Sequence, residues 1–205
     1  MKILLIGPPA SGKGTISRML VKELKLPLIN TGDLLREVDP QSIWYQPIHE
    51  AMDNGLLAPN KIVGGLLKEY IGDSRYENGY VLDGWVRQLS DLENFDPQAD
   101  KVVYLDISRK TSEERINNRR ICQAEGHTYN LISRPPVREG VCDIDGSKLI
   151  KREDDSPEVV EKRFEEFTNK TLPVIDYYQK QGKLIKINGE GTPKEVLNRV
   201  LSNLK

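Results

Sequence analysis

Cysteine, charge of one sign and long apolar runs are all scarce in this chain. Two cysteines among 205 residues cannot form the framework of a disulfide-stapled fold. Lys and Arg total 30 against 31 Asp and Glu, so no broad field draws the chain to nucleic acid or a membrane surface, and basic residues must act locally. No stretch approaches the ~20 apolar residues of a membrane span, and the run Ile3-Leu4-Leu5-Ile6 is too short for a secretion signal and has no cleavage site behind it. Repeats and low-complexity segments are absent as well. The expectation from these absences is a cytoplasmic protein with small-molecule partners, and the lack of an extra apolar patch points to a monomer. What is present, 38% hydrophobic and 30% charged residues, suits a soluble enzyme of one domain with insertions.

Directly behind Ile6 stands Gly7-Pro8-Pro9-Ala10-Ser11-Gly12-Lys13-Gly14-Thr15. Glycines let backbone N–H groups turn inward toward phosphate oxygens, Lys13 adds a point charge for the terminal phosphates, and the following helix presents its positive end. A strand, this loop and a helix in that order predict a nucleoside triphosphate site rather than a chance glycine-rich turn. Gly14 intervenes between the lysine and Thr15, where the common pattern has Ser or Thr at once, and this variant narrows the reading toward small-metabolite kinases.

Short β-rich runs alternate with longer helical patterns along the chain, which predicts an α/β fold with a parallel sheet flanked by helices. Strands are expected at residues 2–6, 27–30, 79–83, 101–106 and 183–188, each a near-continuous apolar run. A helix is expected over residues 13–25. Thr111 with Glu114 reads as a capping box ahead of a helical stretch closed by Arg119-Arg120, and Ser156-Pro157 and Thr192-Pro193-Lys194-Glu195 read as N-caps followed by proline. The apolar face of the last helix, Val196, Leu197, Val200, Leu201 and Leu204, is assigned to the core. Residues 31–60, helical and polar, and 121–150, rich in turn residues, break the alternation and read as insertions over the phosphate site. The core is then residues 1–30, 61–120 and 151–205.

Three further clusters carry chemistry. Thr31-Gly32-Asp33-Leu34-Leu35-Arg36 follows the second strand at the carboxyl edge of the sheet, where open α/β folds bind ligands, so Arg36 is placed to reach a second phosphate. Asp83-Gly84-Trp85-Val86-Arg87 ends the third strand and offers Asp83 as a direct or water-mediated partner for Mg²⁺ and Arg87 as a bidentate phosphate donor. The bland alternative is an Asp capping the next turn beside a surface Arg. Arg119-Arg120 lie before the second insertion and Arg152 and Arg163 after it, flanking Asp154-Asp155. Transfer between two polyanions requires such neutralising charge, although a charge run is more often a solvated face.

Together these motifs resemble the adenylate kinases of the nucleoside monophosphate kinase branch of P-loop proteins, in their long-lid bacterial form, from end to end of the chain. Arg115, Tyr129, Pro135-Pro136, Glu139-Gly140-Val141-Cys142, Asp154-Asp155 and Leu172-Pro173-Val174-Ile175-Asp176-Tyr177-Tyr178 are similar to the family in spacing. The resemblance implies a P-loop NTPase core with a five-stranded parallel sheet, a monophosphate-binding insertion and a lid, and phosphoryl transfer from Mg²⁺-ATP to AMP. It further implies that residues 7–15, Arg115, Arg119 and Tyr129 bind ATP, with Arg115 stacked on the adenine. Thr31, Gly32, Arg36, Leu57, Gly84, Arg87, Asp91, Arg152 and Arg163 would bind AMP. Lys13, Arg87, Arg119, Arg152 and Arg163 would be catalytic, and Asp83 would hold magnesium through water.

The chain also departs from the family pattern. Trp85-Val86-Arg87 stands where the family has Phe-Pro-Arg with a cis proline; a cis bond without proline costs about 3 kcal/mol, so a trans bond is expected at Val86, with some rearrangement of Arg87. Asp91 stands where a glutamine amide reads the AMP adenine. An ionised carboxylate only accepts, so it can take the adenine amino group but cannot donate to the ring nitrogen, whereas guanine offers it two donors. AMP is expected to remain the preferred acceptor, with weaker discrimination. Asn130 and Ser133 replace the family's His and Phe and are expected to loosen the adenine clamp.

Zinc-bearing members place two pairs of ligands in the lid, and here those slots read Cys122, Glu125, Cys142 and Asp145. Tetrahedral Zn²⁺ accepts thiolate and carboxylate, so a mixed zinc site is chemically allowed, although two-thiolate, two-carboxylate sites are uncommon; the alternative is a metal-free lid with two small buried cysteines and hydrogen-bonded carboxylates. A disulfide does not suit a reducing cytosol. A UMP/CMP-type kinase is the runner-up function, against which stands the long lid. A non-catalytic nucleotide-binding regulator is the other, supported by positions 85, 86 and 91 and opposed by the full set of phosphate arginines.

Overall fold

The computed structural model describes residues 1–124, 126–152 and 155–204. Its centre is a parallel sheet in the order β2-β3-β1-β4-β8, formed by β1 (Lys2–Ile6), β2 (Leu28–Asn30), β3 (Tyr80–Asp83), β4 (Lys101–Asp106) and β8 (Leu184–Asn188). Three of the strands begin one residue later than the sequence predicts, but all five are the expected ones. In the central strands the side chains divide by parity between two hydrophobic layers, which is why they read as unbroken apolar runs. Leu4, Ile6, Tyr80, Leu82, Val102 and Tyr104 face a layer completed by Val63 and Leu67 of α4 (Asn60–Ile71) and by Val174, Ile175 and Tyr178 of α8 (Leu172–Lys180). Ile3, Leu5, Val81, Val103 and Leu105 face the other, with Ile16 and Leu20 of α1 (Lys13–Leu24) and Val196, Leu197 and Val200 of α9 (Pro193–Asn203).

The chain carries the P-loop NTPase fold, and what matters for the site is where the strands stop. Parallel pairing of β1 with β3 and β4 brings the ends of all three, and the segment after β2, to one edge of the sheet. The segment between β2 and α4 contains α2 (Thr31–Arg36) and α3 (Tyr45–Asp53). A second, antiparallel sheet in the order β6-β5-β7 is built from β5 (Arg119–Cys122), β6 (Thr128–Asn130) and β7 (Leu149–Ile150), over a small cluster of Cys122, Tyr129, Cys142 and Leu149.

Two predicted features around α6 (Arg109–Asn117) are corrected. Ser108 is its N-cap: the chain leaves β4 extended, and the Ser108 hydroxyl accepts from the Thr111 N–H, so Thr111 and Glu114 lie inside the helix. Arg119-Arg120 open β5 instead of closing the helix, because they pair with Asn130 and Tyr129 of β6. The two later caps stand as read. Ser156 caps α7 (Pro157–Glu166), and Thr192 with Glu195 makes a full capping box on α9. Between α7 and α8, residues Phe167–Thr171 form a π-helical turn.

Candidate active site

The phosphate loop is shaped by two glycines. A Cβ at Gly7 would lie 2.6 Å from Ser11 Oγ and 2.8 Å from the Leu105 carbonyl, so only glycine lets the loop fold back against β4. Gly12 sits at φ 92°, left-handed, and turns the chain into α1. Lys13 then folds its ammonium over the loop, donating to the carbonyls of Gly7 (2.7 Å) and Pro8 (2.9 Å) and to Ser11 Oγ (3.2 Å). Burial, and next the charge of Arg87, lower its pKa to about 7 against the opposing pull of Asp83. Burial likewise pushes Asp83 up, while Lys13 and Arg87 hold it down.

Asp83 ends β3 with its carboxylate buried between the loop and the segment after β2. Its Oδ2 accepts from Asn30 Nδ2 at 3.2 Å and from Ser17 Oγ at 3.5 Å. Asn30 also caps α2 through the Asp33 N–H at 3.0 Å, so one side chain ties the Thr31-Gly32-Asp33 turn to the end of β3. In α2, Asp33 pairs with Arg36 (3.1 Å) and with Arg18 of α1 (3.4 Å), both exposed pairs. Thr31 is buried, lines the cavity, and has no partner for its hydroxyl among the described residues.

Val86 adopts φ 54° with its side chain fully buried, and no cis peptide bond occurs among the described residues, in keeping with the expected trans bond. A β-branched residue in the left-handed region costs about 1–3 kcal/mol, so the turn must be held by its surroundings. Asp91, which heads the short helix α5 (Asp91–Asn94), accepts from the N–H groups of Arg87 (2.8 Å) and Gln88 (3.1 Å). Thr171 Oγ1 donates to the Arg87 carbonyl at 2.8 Å, and Arg87 Nε donates to the Gly84 carbonyl at 3.2 Å.

From the other side, Arg119 at the start of β5 grips Asp155 with two guanidinium nitrogens, Nε at 2.8 Å from Oδ2 and Nη2 on Oδ1; Arg163 of α7 reaches the same carboxylate at 3.5 Å. The Asp155 side chain is 2% exposed, so this is a desolvated, charge-assisted anchor that fixes two arginines side by side. Arg115 donates to the carbonyls of Ala10, Ser11 and Gly189, joining α6 to the phosphate loop and to the turn after β8.

Most of these groups line one cavity of about 460 Å³. Lys13, Asp83, Arg36, Arg87, Arg115, Arg119, Arg152 and Arg163 share it, together with Gly32, Leu57, Gly84, Asp91 and Tyr129. Pro8 is the one residue of the phosphate loop outside its lining. A family model described as adenylate kinase matches residues 5–183, from within β1 to the residue before β8. The chain belongs to the adenylate kinase family. It is 38% identical to an adenylate kinase of Thermosipho africanus over 97% of this chain and 98% of that protein. Against an adenylate kinase of Caldicellulosiruptor bescii the identity is 39%, over 96% and 97% of the two chains, and against one of Streptomyces avermitilis it is 36%, over 100% and 97%.

Around the β6-β5-β7 sheet, the sulfur of Cys122 lies 2.9 Å from Asp145 Oδ2 and 2.8 Å from Ser147 Oγ, while Cys142 Sγ lies 3.5 Å from His127 Nδ1 and 3.4 Å from Tyr129 OH. One ligand atom each from Cys122, His127, Cys142 and Asp145 falls within 4.8 Å of the others. Glu125, expected as a ligand, lies outside the described residues, and His127 was missed because it stands two places beyond the family's slot. The Cys-x4-His spacing was the available signal. Tyr129 lines the cavity, but its hydroxyl also accepts from the Asp143 N–H at 2.8 Å, beside the same cluster. Asn30 and Arg18 were missed too: a lone Asn at a strand end and a lysine-like helix charge carry no pattern until the fold brings Asp83 and Asp33 beside them.

Proposed function

We propose that the chain transfers the γ-phosphoryl group of ATP directly and in line to a phosphate oxygen of AMP, giving two ADP without a covalent enzyme intermediate. The observation that carries this reading is the convergence of Lys13, Arg87, Arg119, Arg152 and Arg163 on one cavity that runs from the phosphate loop to α2. The relatives bear the name of the same activity.

The phosphate loop and Lys13 hold the terminal phosphates of the donor, and the arginines meet the charge that spreads over the equatorial oxygens, a contribution worth about three orders of magnitude in related chemistry. Arg119 and Arg163 are held ready by Asp155, so little reorganisation accompanies the reaction. Among the described residues Arg36 is bound only in an exposed pair with Asp33, which costs little to break, so it can turn to the acceptor phosphate. Residues 31–60 and 121–150 act as the acceptor flap and the lid, closing to exclude water, the abundant competing acceptor. The buried carboxylate of Asp83 beside the hydroxyl of Ser17 and next to Lys13 and Gly14 suits a hard cation, and Mg²⁺ bound with ATP supplies charge neutralisation between the phosphates. Cys122, His127, Cys142 and Asp145 offer two thiolates, an imidazole and a carboxylate, a donor set that fits tetrahedral Zn²⁺ and would brace the lid. We read the protein as a cytoplasmic monomer; no helix among the described residues is long and apolar enough to cross a membrane.

A coupled assay offering AMP, GMP, CMP and UMP in turn tests the function. AMP is expected to be the fastest acceptor. GMP or CMP ahead of AMP overturns the acceptor assignment, and no turnover with any of them would leave a nucleotide-binding regulator.

A further inference from the structure

The cavity wall contains a carboxylate that holds the wall's own backbone. Asp91 is 3% exposed, and its Oδ2 accepts both the Arg87 N–H (2.8 Å) and the Gln88 N–H (3.1 Å). An ionised carboxylate oxygen has about two acceptor sites, and two backbone N–H groups already address those of Oδ2. Turning Oδ2 toward a base would give up one of these bonds. An unpaired buried N–H would then cost about 1–3 kcal/mol, against which one hydrogen bond to a base is a poor exchange.

The donors it engages belong to the strained turn. Val86 sits fully buried at φ 54°, and no proline pre-sets the backbone there. The residues on either side of Val86 are both tied to the region of α5: Trp85 Nε1 donates to the Phe95 carbonyl at 2.8 Å, and Arg87 N–H is taken by Asp91. The Asp91 N–H returns to the Gln88 carbonyl at 3.1 Å, closing a loop of reciprocal bonds around the turn. Arg87 thus leaves this turn with its backbone held by Asp91 on one side and by Thr171 on the other.

We propose that Asp91 is a positioning residue for Arg87: its carboxylate clamps the Trp85–Gln88 turn and so aims the Arg87 guanidinium at the acceptor phosphate. The inference rests on the monophosphate kinase reading above. Because every nucleoside monophosphate presents the same phosphate, the clamp serves all acceptors alike.

Steady-state kinetics of the full chain and of Asp91→Ala and Asp91→Asn with the four monophosphates tests this. Misplacing a catalytic group by about 1 Å costs on the order of a hundredfold, so Asp91→Ala is expected to lose about that factor in kcat with every acceptor. Its KM for ATP should barely move, since the phosphate loop is untouched. Asp91→Asn keeps an oxygen for the two N–H groups and should recover at least tenfold of the loss with every acceptor. A loss in Asp91→Ala confined to AMP overturns the clamp and leaves a base contact. Parent-like kcat in Asp91→Ala overturns it as well. Should Asp91→Ala fail to fold by circular dichroism, Asp91→Asn decides alone: kcat within about tenfold of the parent with all four acceptors is expected, and a loss confined to AMP overturns the clamp. A parent protein inactive with all four acceptors would sink the functional reading instead, which keeps the two failures apart.

Discussion

Lys13 is the residue whose chemistry depends most on what enters the cavity. Burial and the neighbouring Arg87 bring its pKa to about 7 in the unliganded protein, although Asp83 pulls the other way. A lysine lowered in this way is mostly neutral above that value and mostly charged below it. A triphosphate on the loop favours the ammonium form and raises the pKa again. ATP binding at about pH 8 is therefore expected to take up a proton, an uptake that shrinks toward about pH 6, where Lys13 is already charged. Titration calorimetry in two buffers of different ionisation enthalpy measures it, and Lys13→Met should abolish it. No buffer dependence near pH 8, or a net release that survives in the variant, would refute the assignment. Turnover of Lys13→Met should fall by about three orders of magnitude with the fold intact. The importance of Lys13 was legible in the sequence because its neighbours in the chain make the loop. Its pKa was not, because Arg87, Asp83 and Arg163 reach it only through the fold. Asp91 shows the same division. Its position four places after Arg87 was visible, whereas the two backbone N–H groups that occupy it depend on the turn that Val86 adopts.

At the scale of elements, the strands were read almost to the residue, since a buried parallel strand needs apolar side chains on both faces and little else does. The starts of α7 and α9 were legible for a similar reason: a hydroxyl followed by proline states its own geometry. The start of α6 was misread because Ser108 and Thr111 are both good caps, and only the exit direction of β4 decides between them. The lid sheet was invisible to periodicity, its strands having two to four residues each. Its four-ligand cluster gives the prediction proper to this scale. Protein expressed with added zinc should carry about one Zn²⁺ per chain, and Cys142→Ser should lose it and unfold at a lower temperature, because metal binding energy is folding energy for so small a core. His127→Ala should weaken metal retention as well. Zinc near zero after metal-supplemented expression would leave Cys122 and Cys142 as buried thiols in a metal-free lid.

On the scale of the whole molecule, the donor and acceptor phosphates must meet between groups that come from every part of the chain. Lys13 follows β1, Arg36 lies in α2, Arg87 follows β3, Arg119 opens β5 and Arg163 sits in α7. A compound joining two adenosines through five phosphates spans that arrangement and is expected to compete with both ATP and AMP, and to shorten a distance measured between labels on the lid and on α3. Competition with only one substrate, or no change in that distance, would rule out the end-to-end placement. The amino-acid sequence alone determined the phosphate loop, the five strands of the main sheet, and which arginines are available, since each is written in residues next to one another or at a fixed period. Tertiary structure alone decided how those charges are partnered: Arg119 with Asp155 across 36 residues, Cys142 with His127 across 15, and the Arg87 turn with Asp91 in place of a proline. A carboxylate or an imidazole has no preferred partner along the chain; it takes whichever donor the packed elements bring within about 3 Å.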